Sequence, residues 1–487
     1  MVEYYSMSSL LIHNARCIAT LDHADPLRAT TLREASILIQ DHRITYIGPA
    51  SDMHAHTADE VIDARQHLVT PGLINTHHHM YQSLTRAIPA VQNAELFSWL
   101  GGLYPLWAGL TPEMVRISTK VAMAELLMSG CTTSSDHLYI YPNCVRLDDS
   151  IEAAREIGMR FVATRGSMSV GQSQGGLPPD RVVEREDFIL KDTQRLIEQY
   201  HDASHGAMLN VAVAPCSPFS VSRDLMRESA LLARSYGVRL HTHLAENDHD
   251  LAYSREKFNC TPTQYAQELG WLGPDVWHAH CVKLDNEGIS LFAATRTGVA
   301  HCPCSNMRLG SGIAPVRRML NAGVPVGLGV DGCASNDGAH LLNEARQAML
   351  LARVGRAMQP PETRTLADGS HRTFFGCDLG PAEMTTGDAL SLATRGGAQV
   401  LGRGDIGHLA VGMCADLVLF DLDTLGFAGG AVHDPVGALL LCASPQADYT
   451  VVNGRVVVRE GQLATVELGP LVERHNALAR QLAQTAR

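Results

Sequence analysis

No C-x-x-C pair occurs among the 12 cysteines of this 487-residue chain, and the closest spacing is Cys302 and Cys304 with Pro303 between them. Thiols scattered in this way exclude a disulfide scaffold and predict a reduced, cytoplasmic protein with buried structural cysteines. An excess of positive charge is also missing. The 51 acidic and 39 basic side chains leave a net charge of -12, and a nucleic-acid partner would need a basic face. No apolar run reaches the ~18 residues of a membrane span, so no membrane association is expected. Met1–Ser9 is polar, carries two tyrosines and lacks the basic and apolar regions of a signal peptide, with Met7 as an alternative start. There is no 20–50-residue repeat and no long low-complexity tract.

What is present is a composition of 45% hydrophobic and 18% charged residues, that of a globular protein with a large core. The length is too great for one compact layered domain and fits a barrel plus a smaller partner. Both ends read as short strands. Leu10–Ile12, Ala35–Gln40 and Ile44–Ile47 lie near the start. Ala415–Phe420 and a hairpin turning at Asn453-Gly454 lie near the end. These predict one small β domain built from both termini, residues 1–68 and 404–487. Between them, 69–403 alternates strand-like runs (Leu209–Ala214, Val238–His243, Val324–Val330) with helical ones (Arg223–Tyr236, Val316–Ala322). That alternation predicts an α/β unit, a (β/α)8 TIM-like barrel, with a doubly wound sheet as the alternative that periodicity leaves open. Gln359–Gly376, rich in Pro, Thr and Gly, reads as a loop or lid.

Four patches carry chemistry. In Pro71-Gly72-Leu73-Ile74-Asn75-Thr76-His77-His78-His79, strand period two points His77 and His79 together and His78 away, which is half of a metal site. The bland alternative is a polar strand terminus with surface histidines. In Arg239-Leu240-His241-Thr242-His243-Leu244-Ala245-Glu246, His241 and His243 again share a face, His243 offers a third nitrogen, and Glu246 lies just past the strand, placed to move protons, against the alternative of a core histidine and a solvated glutamate. His280 in Trp277-His278-Ala279-His280-Cys281 is a candidate to orient water or substrate, against an equal case for a satisfied core histidine. Gly327-Leu328-Gly329-Val330-Asp331-Gly332 matches the dinucleotide pattern G-x-G-x-x-G formally. Its glycines straddle a strand instead of opening a helix, so the reading is a crowded strand end with Asp331 aimed at a barrel mouth. No local motif would bring these four patches together, and a parallel barrel would, because its active site collects residues from the C-terminal ends of many strands.

Taken together these blocks resemble the amidohydrolase superfamily, in its cytosine-deaminase and chlorohydrolase branch, over nearly the whole chain. The resemblance implies a small β-sandwich from the two ends, and His77, His79, His243 and Asp331 as ligands of one divalent metal. Zn2+ is the first choice, with Fe2+ or Mn2+ also suited to such donors. It implies Glu246 as proton shuttle, Asp331 as base and His280 as the residue that orients and polarises the nucleophile. The terminal Val452-Asn453-Gly454-Arg455-Val456 is similar to the family's ending. Blocks such as His79–Arg86, Leu103–Trp107, Thr164–Ser169, Ala214–Ser220 and Ser305–Leu309 are similar to those of 8-oxoguanine deaminases, and less closely to those of hydroxyatrazine and isoxanthopterin aminohydrolases. The expectation is hydrolytic deamination of a small nitrogen heterocycle, an oxidised purine of the 8-oxoguanine type, by a homo-oligomer. A pterin, triazine or nucleoside substrate is the runner-up. Asp331 is absent from some dehalogenating relatives, and its presence favours deamination.

Candidate pocket residues are Gln82 and Arg165 for ring carbonyls, Trp107 against the ring, and Cys216 and Ser217 at the mouth. Asp136-His137 either reaches the site or caps a loop. The opposite-class alternative, a non-catalytic barrel scaffold, predicts broken ligand positions, and none is broken. A zinc-type nucleic-acid base deaminase would carry His-x-Glu and Pro-Cys-x-x-Cys, and neither half stands at the metal-like motifs.

Overall fold

The computed structural model describes residues 9–22, 31–53, 58–442 and 445–485. The expectations about Met1–Ser9 therefore fall, apart from Ser9, outside the described residues.

Eight strands close into a barrel. They are β1 Leu73–Asn75, β2 Cys131–Leu138, β3 Arg160–Ser167, β4 Leu209–Pro215, β5 Arg239–Leu244, β6 Val276–His280, β7 Gly298–His301 and β8 Val326–Leu328. Every neighbouring pair is parallel, and β8 returns to β1 through Leu328 opposite Asn75. Strands covered on both faces cannot alternate apolar and polar, and all residues of β2 and of β3 are buried. The short β1 is reinforced by its own Asn75. The Asn75 amide donates to Ser134 Oγ at 3.0 Å, and its carbonyl oxygen accepts from Val330 N at 2.9 Å, which laces both neighbours to it. The barrel is thus confirmed over the doubly wound alternative.

The two ends form two further sheets. One has the order Arg43–Pro49, Ala35–Gln40, Ser9–Ala15, Glu60–Asp63. The other is seven-stranded, and its centre pairs Leu417–Asp421 with both His67–Pro71 and Tyr449–Val452. Period two decides which core each residue joins. Leu417 and Leu419 enter the core between the sheets, with Ile12, Ile37 and Ile39. Val418 and Phe420 face the other way and join the barrel's apolar cluster. There Val418 and Phe420 press on Gly130, where an added Cβ would meet Val418 Cγ1 at 2.9 Å. The expected hairpin is present, Tyr449–Val452 with Arg455–Arg459, and its turn residues Asn453 and Gly454 have φ of 51° and 81°. Both values suit a two-residue type I′ connection.

One expectation is corrected. The segment 359–376 is not irregular. It carries an antiparallel hairpin, Glu362–Thr365 with His371–Phe374, that stands exposed and contributes nothing to the cavity described below. Among the described residues no helix is long and apolar enough to cross a membrane.

Candidate active site

The C-terminal ends of the barrel strands converge on one buried polar cluster, the place where a parallel barrel collects residues from separate strands. Past β1 the chain runs on as His78–His79, which pairs in parallel with Asp331–Gly332 past β8. This small ladder brings Asp331 beside the histidines. His77 and His79 share a face, with ring centroids 4.7 Å apart. His78 turns away, and its Nδ1 accepts the His79 N–H at 2.8 Å. Three strand ends leave the barrel in the left-handed region: Ala245 at φ 53°, His280 at 71° and Asp331 at 59°. Non-glycine residues adopt this region only where their surroundings hold them there, and such strain gathers at functional sites.

Hydrogen bonds fix the tautomers. His79 Nδ1–H donates to His137 O at 2.7 Å, and His243 Nδ1–H donates to Cys216 O at 2.6 Å. Each ring then presents a lone pair at Nε2, and those two Nε2 atoms face one another at 3.1 Å. His241 Nδ1–H donates to Trp277 O at 3.0 Å, so His241 Nε2 accepts from His77 Nδ1–H at 2.8 Å. This leaves His77 Nε2 as a third lone pair, buried and without a hydrogen-bond partner. Asp331 Oδ1 lies 3.2 Å from His77 Nε2 and 3.4 Å from His79 Nε2. Three imidazole lone pairs and a carboxylate oxygen at such separations repel unless a cation stands among them. The ring nitrogens on the far side are all tied, as they are behind metal-bound histidines. The donor set therefore fits a divalent metal. Burial first, and then neighbouring rings, hold His77, His79 and His243 below the ordinary histidine value, His243 at about 3. They are neutral and ready to ligate at physiological pH.

Further ionisable groups sit beside this set. Burial pushes Glu246 up to about 7, aided by the Asp331 and Asp250 charges and opposed by His280. Burial disfavours charge on His280, but the Glu246 and Asp331 carboxylates outweigh it and raise its value. The His280 Nε2 is 3.6 Å from Glu246 Oε2 and 3.8 Å from Asp331 Oδ2, while its Nδ1–H donates to Asn306 Oδ1 at 3.0 Å. Burial would raise Asp331, yet the neighbouring His77, His280 and His79 rings hold it well below the carboxylate range. Its Oδ2 accepts from Ser305 Oγ at 2.5 Å and Ser335 Oγ at 3.1 Å. Glu246 is pinned through its backbone. Its N–H donates to Asp250 Oδ2 at 3.0 Å, and Asp250 N–H donates back to Asn247 Oδ1 at 3.0 Å, where Asn247 caps helix Asp248–Phe258.

A family model described as the amidohydrolase family matches residues 68–461. The chain belongs to the amidohydrolase family. It is 44% identical to an 8-oxoguanine deaminase of Pseudomonas aeruginosa, over 98% of this chain and 99% of that one. It is 36% identical to an isoxanthopterin deaminase from an unknown prokaryotic organism, over 99% of each chain. Among solved structures, the zinc complex of an atrazine chlorohydrolase from Arthrobacter aurescens superposes with a TM-score of 0.87. That match has 33% identity and covers 96% of this chain and 100% of the other.

In this amidohydrolase a cavity opens onto the cluster. His79, His243, Glu246, His280 and Asp331 form one side. Gln82, Cys216 and Ser217, expected as pocket residues, line it. Trp99, Leu100, Tyr104, Tyr139, Phe219 and Leu309 complete the apolar walls. Gln82 reaches in by lying across Gly332, where an added Cβ would meet its Oε1 at 1.8 Å.

Two expected pocket residues lie elsewhere. Arg165 does not touch the cavity. Its guanidinium is consumed by Glu184 at 2.9 Å, Asp192 at 3.0 Å and the carbonyl of Gly166, and it stacks 3.9 Å over Tyr141. On β3 its side chain points outward from the barrel toward the helix that carries Asp192. Trp107 is one layer back. Its Nε1–H donates to Thr85 Oγ1 at 3.1 Å, and its ring meets Tyr81, Trp99 and Tyr104 edge-on at 5.3, 5.5 and 5.9 Å. Asp136-His137 serves from behind, since Asp136 Oδ1 accepts from Met80 N at 2.8 Å and the His137 carbonyl orients His79. Sequence reasoning gave no role to Ser305, Asn306, Ser335 and Tyr104. It placed His241 on the same strand face as His243 but did not assign it the acceptor role toward His77.

Proposed function

We propose that this protein hydrolytically deaminates 8-oxoguanine, releasing ammonia and a urate-type product. The chain is a metal-dependent aminohydrolase of the amidohydrolase superfamily, and the finer reading concerns its substrate and the roles of its residues. One observation carries it. A carboxyl group pushed to about 7, Glu246, faces a deprotonated carboxylate, Asp331, across His280 at the edge of a small aromatic cavity. A protonated and an ionised carboxyl held side by side are the acid and base that exchange of an amino group for oxygen requires. The match to the 8-oxoguanine deaminase of Pseudomonas aeruginosa supports the choice of ring.

His77, His79, His243 and Asp331, drawn from the two overlapping buried groups His77/His79/His137/His243 and His77/His243/His280/Asp331, would hold the metal, and Zn2+ is the ion in the related atrazine chlorohydrolase. A divalent ion among these donors supplies the activation of water at neutral pH. Asp331 takes a proton from the attacking water, with Ser305 and Ser335 holding its Oδ2 in place. His280, kept in orientation by Asn306, directs the water at the amino-bearing carbon. Glu246 delivers a proton to the adjacent ring nitrogen and takes one back from the new hydroxyl as the carbonyl forms, and the amine leaves with the proton relayed from Asp331. The carbon gains oxygen and loses nitrogen. Of the water's two protons, one ends on the ring nitrogen and the other in ammonia. Gln82, with neither amide atom partnered by the protein, matches the paired donor and acceptor of a ring lactam.

We also assign the division 1–68, 69–403 and 404–487. It is supported by barrel strands that fall between Leu73 and Leu328, although strand His67–Pro71 straddles the first boundary.

The test is ammonia release by the zinc-loaded protein from 8-oxoguanine, guanine, isoxanthopterin and a hydroxytriazine. Preferential turnover of 8-oxoguanine supports the reading, and turnover of the pterin or triazine alone overturns its substrate.

A further inference from the structure

The polar groups of the cavity are not all used by the chemistry. Tyr104 lines the cavity from helix Leu96–Trp107, is 1% exposed, and its hydroxyl has no hydrogen-bond partner in the protein. The hydroxyl of Tyr81, behind it, is likewise buried and unpartnered. A buried hydroxyl without a partner is costly, so a native cavity that holds one marks a place where something else accepts the proton. The rings are rigidly set, because Trp107 packs edge-on against Tyr81, Tyr104 and Trp99 at 5.3–5.9 Å. His79, His243, His280, Glu246 and Asp331 come from strand ends, whereas Tyr104 reaches the same cavity from helix Leu96–Trp107. A phenol donates a hydrogen bond better than it accepts one, because its oxygen lone pair is shared with the ring. Its natural counterpart is a carbonyl oxygen.

We infer that Tyr104 is a specificity-determining residue that donates its hydroxyl proton to an exocyclic carbonyl of the substrate, at the end of the bicyclic ring remote from the amino-bearing carbon. This rests on the reading of the site as an aminohydrolase of 8-oxoguanine. In a 2-aminopurine skeleton the carbon that loses ammonia lies on the six-membered ring, and C8 lies at the far tip of the five-membered ring. An oxo group at C8 satisfies Tyr104, while a C–H there leaves it orphaned. The substrate class is therefore the 2-amino bicyclic heterocycle oxidised at its far edge, and plain guanine is rejected because the site's own hydroxyl is stranded. Sites built to pair with a polar group reject its absence more strongly than apolar pockets reject a missing methylene.

The experiment compares kcat/KM for 8-oxoguanine and for guanine in the zinc-loaded wild type and in Tyr104→Phe. The expected result is that the wild type prefers 8-oxoguanine and that the ratio of the two constants falls about tenfold in the variant, the loss expected of one neutral hydrogen bond. The thermal midpoint of the unliganded variant should be equal or higher, since an unpartnered hydroxyl is removed without changing ring packing. That result separates lost recognition from lost folding. A preference for 8-oxoguanine that Tyr104→Phe leaves intact overturns the inference and spares the function. A wild type that deaminates neither purine overturns the function, and the inference falls with it.

Discussion

Two buried polar clusters lie at opposite ends of the same barrel, and they are built on opposite terms. At the start of β3, Arg160 has every N–H matched. Its Nε and one terminal nitrogen hold Asp416 at 2.8 and 3.0 Å, and the rest reach the carbonyls of Gly206 and Ala207 and Asn453 Oδ1. Asp416 in turn accepts the backbone N–H of Asn453 at 2.6 Å. At the other end, the lone pairs of His79 and His243 confront one another at 3.1 Å, and His77 Nε2 has nothing to accept. Both clusters are fully buried and both mix cations or imidazoles with a carboxylate. The difference is completeness. A network that closes on itself fastens two parts of the chain together, here the barrel floor to the terminal hairpin. One that leaves acceptors facing each other is built to hold something the chain does not contain.

The sharpest way to break that comparison is to alter one member of each cluster. Glu246→Gln should lower kcat by about 10²–10⁴-fold and leave the thermal midpoint unchanged or raised, because an amide replaces a carboxyl that burial already disfavours. Wild-type turnover in that variant would remove Glu246 from the mechanism. Arg160→Ala should do the reverse. It strands Asp416 in the interior and should cost about 3–5 kcal/mol in denaturant unfolding, while the metal-loaded folded fraction keeps its turnover number. Loss of turnover at full stability would mean that the two clusters are coupled. A smaller effect is expected behind the ligands. His241→Phe removes the acceptor that orients His77 and should weaken metal affinity about 10–100-fold, measured by competition with a chelator, and unchanged affinity would refute the tautomer chain. The smallest effect is in pH. Glu246 has a raised value, so its proton-donating form prevails below about 7 and is lost above it. From pH 7 to 8 kcat should fall by up to about tenfold, and a rate that rises over that interval would contradict the donor role.

The parts of this molecule that the sequence displayed are those governed by short periods. His77 and His79 share a face because strands repeat every two residues, and helices Arg223–Tyr236 and Val316–Ala322 begin and end where their patterns do. Asn453-Gly454 announces its own turn. The barrel followed from alternation and from the need to gather ligands that lie on separate strands. What the sequence did not display depends on direction and distance across the fold. Arg165 was a reasonable candidate for a ring carbonyl until its side of β3 was known, and Glu184 and Asp192, which neutralise it, are set by a loop and a helix with no pattern tied to it. Trp107 is near the cavity but screened by Tyr104, a matter of one ring's thickness. His241 was placed beside His243 by the rule that paired His77 with His79, but its hydrogen bond with His77, on a strand far away in sequence, has no local pattern. The hairpin in 359–376 was hidden because its Pro and Gly lie outside the two strands, and the strands themselves, Glu362–Thr365 and His371–Phe374, are short, mostly polar and exposed, with no alternation to read.

Strand Leu417–Asp421 has a consequence for how the protein is made. It presents Val418 and Phe420 to the barrel and Leu417 and Leu419 to the sandwich, so each of the two cores lacks a wall until this strand arrives. Every candidate ligand, from His77 to Asp331, is translated earlier. A message truncated between the codons for Asp331 and Leu417 would therefore encode the whole donor set and still yield a product with two uncovered apolar faces, a species prone to aggregate. The barrel cannot be separated from this strand, because a segment made after every candidate ligand also covers residues made before them.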